Sequence, residues 1–208
     1  KSLNLVKMAE EHQYKAIVIT VDSPHTGIRD RERKAFFHLP EGMQHPHTPS
    51  HIPLPELKQG DHPVFNGLMR IAPAWDDIAW MVQQTDLPII LKGVTHPQDA
   101  LLAIQHGVKG LIISNHGGRV LDTCISPLLS LQMIKKVVPD NFPLIYDGGI
   151  RRGSDVFKAL ALGASAVCIG RPYIYGLATA GALGVAHVLK ILKEEFEITM
   201  ALMGTATL

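Results

Sequence analysis

The fold is decided by residues 143–172, which read PLIYDGGIRRGSDVFKALALGASAVCIGRP. Two short apolar runs, Pro143–Tyr146 and Ala166–Ile169, flank the helical pattern Ser154–Leu162, which starts at a good N-cap residue and ends before Gly163. Short and continuous apolar runs are typical of strands that are buried on both faces of a parallel sheet. The stretch therefore predicts a strand, a helix and a second strand parallel to the first.

The same alternation extends toward the N-terminus. Three further strands are predicted, at Ala16–Thr20, Leu87–Leu91 and Gly110–Ile113. Further helical patterns cover Ser2–His12, Asp76–Gln84, Pro97–His106, Ser126–Val138 and Gly184–Leu202. Repeated alternation of strand and helix indicates an α/β fold with right-handed crossovers. The regular spacing of the strand ends favours part of a (β/α)8 TIM barrel over a doubly wound sheet, which offers no reason for chemistry after every strand.

Composition and charge suit one globular domain that covers residues 1–208. Of the 208 residues, 46% are hydrophobic and 19% are charged, and the formal net charge is +1. This balance gives no electrostatic attraction to nucleic acid or to an anionic membrane surface. No run of about 18 apolar residues occurs, so no membrane span is expected. The two cysteines, Cys124 and Cys168, favour a reducing, intracellular compartment.

One connection is unusually long. Residues 33–73 form a predicted loop insertion that is rich in proline and histidine. Connections of this length are typical of lids or mobile loops. The histidines could bind zinc, but their spacing has no fixed frame, so a solvated loop is the favoured interpretation and no metal site is predicted. They are His38, His45, His47, His51 and His62.

Reactive and ion-binding residues follow every predicted strand at its carboxyl end, where barrel enzymes build their sites. They are Asp22 and Arg29 after the first strand, Lys92 after the second, residues 114–119 after the third, residues 147–151 after the fourth, and Gly170 and Arg171 after the fifth. Glycines at 148 and 149 let backbone N–H groups approach a phosphate, and a helix that begins at Ser154 would favour an anion at its N-terminus. A phosphate site is therefore predicted; a simple tight turn is the alternative.

Residues 114–119, SNHGGR, carry the predicted chemistry. His116 is the candidate general base, because a neutral imidazole can accept a proton near neutral pH. Gly117 and Gly118 have no side chains, so a substrate can approach the backbone closely. Arg119 can grip a carboxylate through two parallel hydrogen bonds. Together these residues favour catalysis over a structural role for His116.

Three other candidates each have a functional and a structural interpretation. Asp22 could orient His116 and stabilise its imidazolium form, or it could cap a turn. Arg29 could supply a second contact to a carboxylate, or it could lie on a solvated face. Lys92 ends a buried strand, where its charge is costly unless an anion balances it, or unless the side chain extends to solvent.

These motifs resemble those of the FMN-dependent α-hydroxy acid oxidases and dehydrogenases. SNHGGRVLD is preceded by LPIILKG and followed by DGGIRRGSDVFKALALGA and IGRP, and TVDSPHTGIRDRE resembles the fourth strand of that family and the turn after it. The match runs in motif order from Lys15 to Gly204. The resemblance implies the fourth to eighth βα units of a (β/α)8 barrel.

The resemblance also implies a role for each matching residue. His116 would be the active-site base with Asp22 hydrogen-bonded to it, and Arg29 and Arg119 would bind the substrate carboxylate. The implied reaction oxidises an (S)-2-hydroxy acid to the 2-oxo acid, and electrons pass through FMN to oxygen or another acceptor. Flavin contacts are implied for Thr20, Lys92 and Ser114, and contacts to the ribityl chain and phosphate for Asp147, Gly148, Gly149, Ile150, Arg151, Gly170 and Arg171.

The chain also departs from the family pattern. Val120 replaces the usual glutamine after the motif arginine, and DTCISPLLSL differs from the usual loop. Three barrel strands are unmatched, so we expect a fragment of a longer homo-oligomeric enzyme, cytoplasmic or, in a eukaryote, peroxisomal. Two alternatives stay open. A type 2 isopentenyl diphosphate isomerase would share the phosphate site without needing the His-Gly-Gly-Arg motif, and a truncated relative would be inactive.

Overall fold

The computed structural model describes residues 2–25, 27–36, 38–43 and 55–208. Its five parallel strands form one sheet in which each strand pairs with the next along the chain. This order is that of consecutive units of a (β/α) barrel. The predicted strands are confirmed to within two residues at each end. They are β1 (Ile17–Thr20), β2 (Ile89–Lys92), β3 (Gly110–Ile113), β4 (Leu144–Asp147) and β5 (Ala166–Cys168).

One helix precedes the first strand, further helices connect the strands, and one helix follows the last strand. Proline occupies the first turn of α4 and of α5, where its lack of an N–H costs nothing. The helices are α1 (Ser2–Glu11), α2 (Asp30–Lys34), α3 (Trp75–Val82), α4 (Pro97–Gln105), α5 (Pro127–Lys135), α6 (Gly153–Ala161) and α7 (Arg171–Leu202). The short α2 was not predicted.

The predicted loop insertion, residues 33–73, contains unpredicted helical turns. A π-helical turn covers Pro63–Gly67 and a 3-10 turn covers Leu68–Ile71. His62 caps the first of these, because its Nδ1 accepts the N–H of Val64 at 3.2 Å. His45, His47 and His51 lie outside the described residues. Within the described ranges, no group of three or more His, Cys, Asp or Glu side chains could hold a metal ion.

The core lies between the sheet and the helices that cover one of its faces. Every residue of β3 is buried, but β2 and β4 alternate between buried and half-buried residues. Val18 of β1 is 48% exposed. The expectation of burial on both faces is therefore right only for β3, because in β2 and β4 every second residue stays partly accessible to solvent. Fully buried apolar residues include Leu91, Leu111, Ile113, Leu131, Ile134 and Leu144.

Helix α7 differs from the prediction in length and in shape. It starts 13 residues earlier than the predicted Gly184, at Arg171, and it is interrupted at Ala180 and Gly181, whose φ values are −148° and 57°. By length and composition α7 could cross a membrane, since an 18-residue window has a mean hydropathy of 1.4 and is only 6% buried. One such helix is weak evidence for a membrane span. The sequence expectation missed this helix because it considered uninterrupted apolar runs alone.

Candidate functional site

The carboxyl ends of β2 to β5 surround a cavity of about 270 Å³. Because the strands are parallel and adjacent, residues that follow them meet at the same edge of the sheet. The cavity therefore brings together most of the predicted site. The predicted residues that line it are Lys92, His116, Arg119, Asp147, Gly148, Gly149, Ile150, Arg151, Gly170 and Arg171.

His116 is paired with Asp22 across the site. Their Nδ1 and Oδ1 atoms lie 3.0 Å apart, and the Asp22 side chain is only 13% exposed. A carboxylate oxygen can only accept here, so Nδ1 carries the proton and Nε2 is left free to accept one. Ser23, which sequence reasoning missed, donates its hydroxyl to the same Oδ1 at 3.0 Å. Asp22 therefore has the contact with the imidazole that the first of its two interpretations requires.

The backbone around His116 has an unusual conformation. His116 has a φ of 56°, and Gly117 and Gly118 follow with positive values of 64° and 70°. A positive φ in a residue other than glycine costs on the order of 1–3 kcal/mol and persists only when its surroundings hold it. The N–H of His116 donates to Ser114 Oγ at 3.0 Å, which is one contact that holds it.

Lys92 lies in a polar cluster beneath the cavity. Its Nζ is 3.3 Å from Asp147 Oδ2 and 3.1 Å from Ser114 Oγ. Ser114 is fully buried and donates to the same Asp147 oxygen at 2.6 Å. The carboxylate that balances the charge of Lys92 thus comes from the protein itself. Thr20, the last residue of β1, pairs with Lys92 in the sheet but does not line the cavity.

The two predicted carboxylate-binding arginines meet through a third residue. Arg119 lines the cavity, whereas Arg29 lines a neighbouring one. Glu32 accepts from Arg29 Nη1 at 3.1 Å and from Arg119 Nη2 at 3.4 Å. No role was predicted for Glu32 from the sequence. Its position three residues after Arg29 is the spacing at which side chains meet on one face of a helix, and that spacing was the available signal for this pair.

The N-terminus of α6 is occupied by carboxylates. The N–H groups of Arg151 and Arg152 donate to Asp155 Oδ2 at 3.1 and 3.0 Å, and that of Gly153 donates to Glu195 Oε2 at 2.8 Å. Glu195 also pairs with the guanidinium of Arg152 at 2.8 Å. The helix begins at Gly153, one residue before the predicted cap Ser154. The anions at this N-terminus are therefore carboxylates of the protein itself, and the N–H groups of residues 151–153 already have acceptors.

Asp155 is stabilised in its charged form by these contacts. Burial alone would raise the pKa of Asp155, but the N–H groups of Arg151 and Arg152, together with Lys158, outweigh burial. The pKa therefore lies below its ordinary value of 3.8.

The start of α7 offers the space that α6 does not. A Cβ placed on Gly149 or on Gly170 would meet no atom within 4 Å, so both backbones are open to a ligand. Gly170 has no side-chain cap, and α7 begins with Arg171. Arg171 Nη2 also donates to the carbonyl oxygen of Gly117 at 3.1 Å. Open N–H groups beside a guanidinium suit a phosphate group, and the residues present therefore fit the phosphate end of FMN.

Comparisons with known proteins agree on one family. A family model described as FMN-dependent dehydrogenase matches residues 1–208. The 2-hydroxyacid oxidase of Dictyostelium discoideum is 48% identical over 203 residues, covering 98% of this chain and 52% of that protein. The L-lactate oxidase of Roseobacter sp. (strain GAI101) is 45% identical over 212 residues, covering 99% and 56%.

A solved structure agrees with these relatives. Mandelate oxidase with benzoyl-formic acid matches with a TM-score of 0.79 at 39% identity, covering 98% of this chain and 55% of that one. Plant peroxisomal and bacterial oxidases both occur among the relatives. The chain spans about half the length of the relatives it matches.

Proposed function

Because the chain belongs to the FMN-dependent dehydrogenase family, we propose that this protein oxidises a small (S)-2-hydroxy acid to the 2-oxo acid with FMN as cofactor. The observation that carries the proposal is the 3.0 Å pair of His116 and Asp22 at a cavity that also contains Arg119 and the open glycines. Such a reaction needs an imidazole base, a group that binds the carboxylate of the substrate, and a binding site for the phosphate of FMN.

Proton removal is assigned to His116. Its free Nε2 accepts a proton from the substrate, and the imidazolium that results faces the carboxylate of Asp22. A hydrogen bond to a charged partner contributes about 1.5–3 kcal/mol, which equals a rate factor of roughly 10 to 150. Asp22 therefore supports catalysis by orienting the ring and by stabilising its charged form.

Substrate orientation is assigned to Arg119 and Arg29. Planar guanidinium groups match the geometry of a carboxylate and can bind it through paired hydrogen bonds. The carboxylate of Glu32 contacts both guanidinium groups and so brings their positive charges close together. The carboxylate of a substrate would bind beside these two charges.

FMN binding is assigned to the residues around the glycines. The backbones of Gly149 and Gly170 with the guanidinium of Arg171 would hold the phosphate, and Asp147 to Arg151 would line the ribityl chain. Lys92 would supply positive charge at the flavin ring, with Thr20 and Ser114 near it. When bound, FMN accepts the two electrons that leave the substrate. We assign oxygen as the final acceptor because the curated relatives are named as oxidases.

The proposal is tested on the full-length protein purified with FMN. Anaerobic mixing with (S)-lactate, glycolate or (S)-mandelate is expected to bleach the flavin absorbance, whereas (R)-lactate serves as the matched control. Admission of oxygen is then expected to restore the absorbance and to release hydrogen peroxide. Bleaching by none of these acids, together with turnover of isopentenyl diphosphate, would refute the proposal in favour of the isomerase alternative.

A further inference from the structure

Gly27 lies where the loop after β1 meets the loop after β3. A Cβ built on Gly27 would lie 2.6 Å from the carbonyl oxygen of Arg119 and 2.8 Å from Val120 Cα, and it would meet the carbonyl oxygen of Val120 as well. Real Cβ atoms essentially never approach another atom within 3.0 Å, and all three of these atoms belong to the backbone, which cannot turn aside as a side chain can. Only glycine therefore allows the two loops to lie in contact here.

The contact at Gly27 brings two arginines together. Arg29 follows Gly27 by two residues on one loop, and Arg119 lies on the other loop at the point of contact. The carboxylate of Glu32 bridges their guanidinium groups, since Oε2 is 3.1 Å from Arg29 Nη1 and Oε1 is 3.4 Å from Arg119 Nη2. One carboxylate can span both groups only while the loops that carry them stay close. The backbone contact therefore sets the distance between the two guanidinium groups.

Arg29 keeps hydrogen-bonding capacity that Glu32 does not use. Its Nε is buried and has no hydrogen-bond partner among the residues that the structure describes. Buried donors are rarely left unpaired, so an unpaired one needs an explanation. A carboxylate bound to Arg29 would supply the missing acceptor, because a guanidinium group binds a carboxylate through two parallel N–H donors. The geometry of Arg29 therefore suits a ligand carboxylate held beside Glu32.

A methyl group at position 27 would separate the two arginines. Ordinary contact begins at 3.4 Å, so the carbonyl of Arg119 would have to retreat from its 2.6 Å position by about 0.8 Å. A hydrogen bond of about 2.9 Å that is lengthened by this amount is lost. A substrate carboxylate could then keep its bonds to one arginine but not to both.

We infer that Gly27 is a positioning residue, which sets the separation at which Arg29 and Arg119 bind one substrate carboxylate together. The inference rests on the proposed function and adds to it a backbone position that determines how tightly the carboxylate is bound. Gly27 acts through the two arginines, and it does so by having no side chain.

The test compares Gly27→Ala with Gly153→Ala in the full-length FMN-loaded protein. Gly153 is a matched control because an added Cβ would also meet backbone atoms, those of Glu195 and Phe196, but Gly153 lines neither the cavity of the site nor the cavity beside Arg29. Pyruvate and benzoylformate, which are 2-oxo acids, are titrated against the oxidised protein, and the change in flavin absorbance gives their dissociation constants. Gly27→Ala is expected to raise both constants roughly 10- to 150-fold, which is the effect of one lost hydrogen bond to a charged group. Gly153→Ala is expected to leave them unchanged, although thermal unfolding should show that both variants are destabilised.

A double-mutant cycle separates positioning from a general loss of stability. Arg29→Ala and Arg119→Ala are each made alone and in combination with Gly27→Ala. If Gly27 acts through the arginine pair, at least one arginine has already lost its contact in Gly27→Ala. At least one of the two arginine substitutions should then raise the dissociation constants by less than roughly twofold in that background. A purely structural role of Gly27 would leave both arginine effects at their full size.

A second variant covers the case in which Gly27→Ala does not fold. Val120→Gly frees the backbone that the added Cβ would meet, so Gly27→Ala combined with Val120→Gly should fold and bind FMN. The dissociation constants of this combined variant for the 2-oxo acids should exceed those of Val120→Gly alone by the same factor.

The inference is overturned if Gly27→Ala or the combined variant binds the 2-oxo acids as its control does, if both arginine effects keep their full size, or if the wild-type protein binds no 2-oxo acid. The proposed function fails separately, if the 2-oxo acids bind but no 2-hydroxy acid reduces the wild-type flavin. The dissociation constants then still decide whether Gly27 positions the two arginines.

Discussion

Replacing Gly93 by alanine should damage the site through Asp22 without changing any polar group. Gly93 has a φ of +107°, and a Cβ there would lie 2.5 Å from Asp22 Cβ, where ordinary contact begins at 3.4 Å. Asp22 must therefore retreat by about 0.9 Å, since the backbone of Gly93 is fixed at the end of β2. Such a shift can lengthen the 3.0 Å contact between Asp22 Oδ1 and His116 Nδ1 beyond hydrogen-bonding distance.

The loss of that bond sets the size of the effect. A hydrogen bond to a charged group contributes about 1.5–3 kcal/mol, so Gly93→Ala should slow flavin reduction roughly 10- to 150-fold. Strain at the positive φ should also reduce the free energy of unfolding by about 1–3 kcal/mol. The slower reduction and the lower stability have different causes, and a control substitution at a second glycine distinguishes them.

Gly107→Ala is the matched control for backbone strain. Gly107 has a φ of +85°, and the nearest neighbour of an added Cβ would be Val82 Cγ1 at 3.1 Å. Neither Gly107 nor Val82 lines the cavity of the site. Thermal unfolding should show that both FMN-loaded variants are destabilised. Stopped-flow measurements should show slower flavin reduction in Gly93→Ala only. Equal reduction rates in the two variants would refute the reasoning.

Three further predictions concern the base and α6. His116→Ala should lower flavin reduction by roughly 10²- to 10⁴-fold with FMN still bound, and an unchanged rate would remove it from the role of base. Glu195→Ala deprives the Gly153 N–H of its acceptor and should cost about 1–2 kcal/mol of unfolding free energy in urea, against less than about 0.5 for the exposed neighbour Glu194→Ala; equal losses would contradict this. Because the pKa of Asp155 is lowered on folding, its stabilisation is present above 3.8 and is lost as the pH falls through the folded value. The difference in urea stability between wild type and Asp155→Asn should therefore shrink toward about pH 2, and a constant difference would contradict this.

Local sequence patterns predicted the strands well and the helix details less well. Strands such as Gly110–Ile113 are short apolar runs bounded by turn residues, and that pattern depends on the strand alone. The start of α6 was misjudged because the N–H of its first residue, Gly153, donates to Glu195, which lies 42 residues away along the chain. The part of α7 that precedes the break at Gly181 was missed, since the predicted helix began at Gly184. Three glycines, at 176, 181 and 184, weaken the helical pattern there.

The candidate site was predictable where chemistry follows a strand end. His116 follows β3 and Asp22 follows β1, 94 residues apart in the chain. The carboxyl ends of parallel strands lie at the same edge of a sheet, so their pairing followed from topology and resemblance. The contacts that Ser114 and Glu32 make with neighbouring side chains could not be predicted in this way. Their roles depend on which of several nearby polar atoms each one reaches, and this is fixed by side-chain packing rather than by spacing.

The bond from Arg171 to the carbonyl of Gly117 has a thermodynamic consequence. The guanidinium of Arg171, which is assigned to the phosphate, also holds the peptide of Gly117 beside the proposed base. Binding of the phosphate therefore affects how well the Gly117 peptide is ordered. Coupling of this kind is reciprocal, and the same factor must appear in both directions. Release of the cofactor and loosening of the proton acceptor are therefore linked equilibria, and a variant that disorders the histidine loop will release its cofactor more readily.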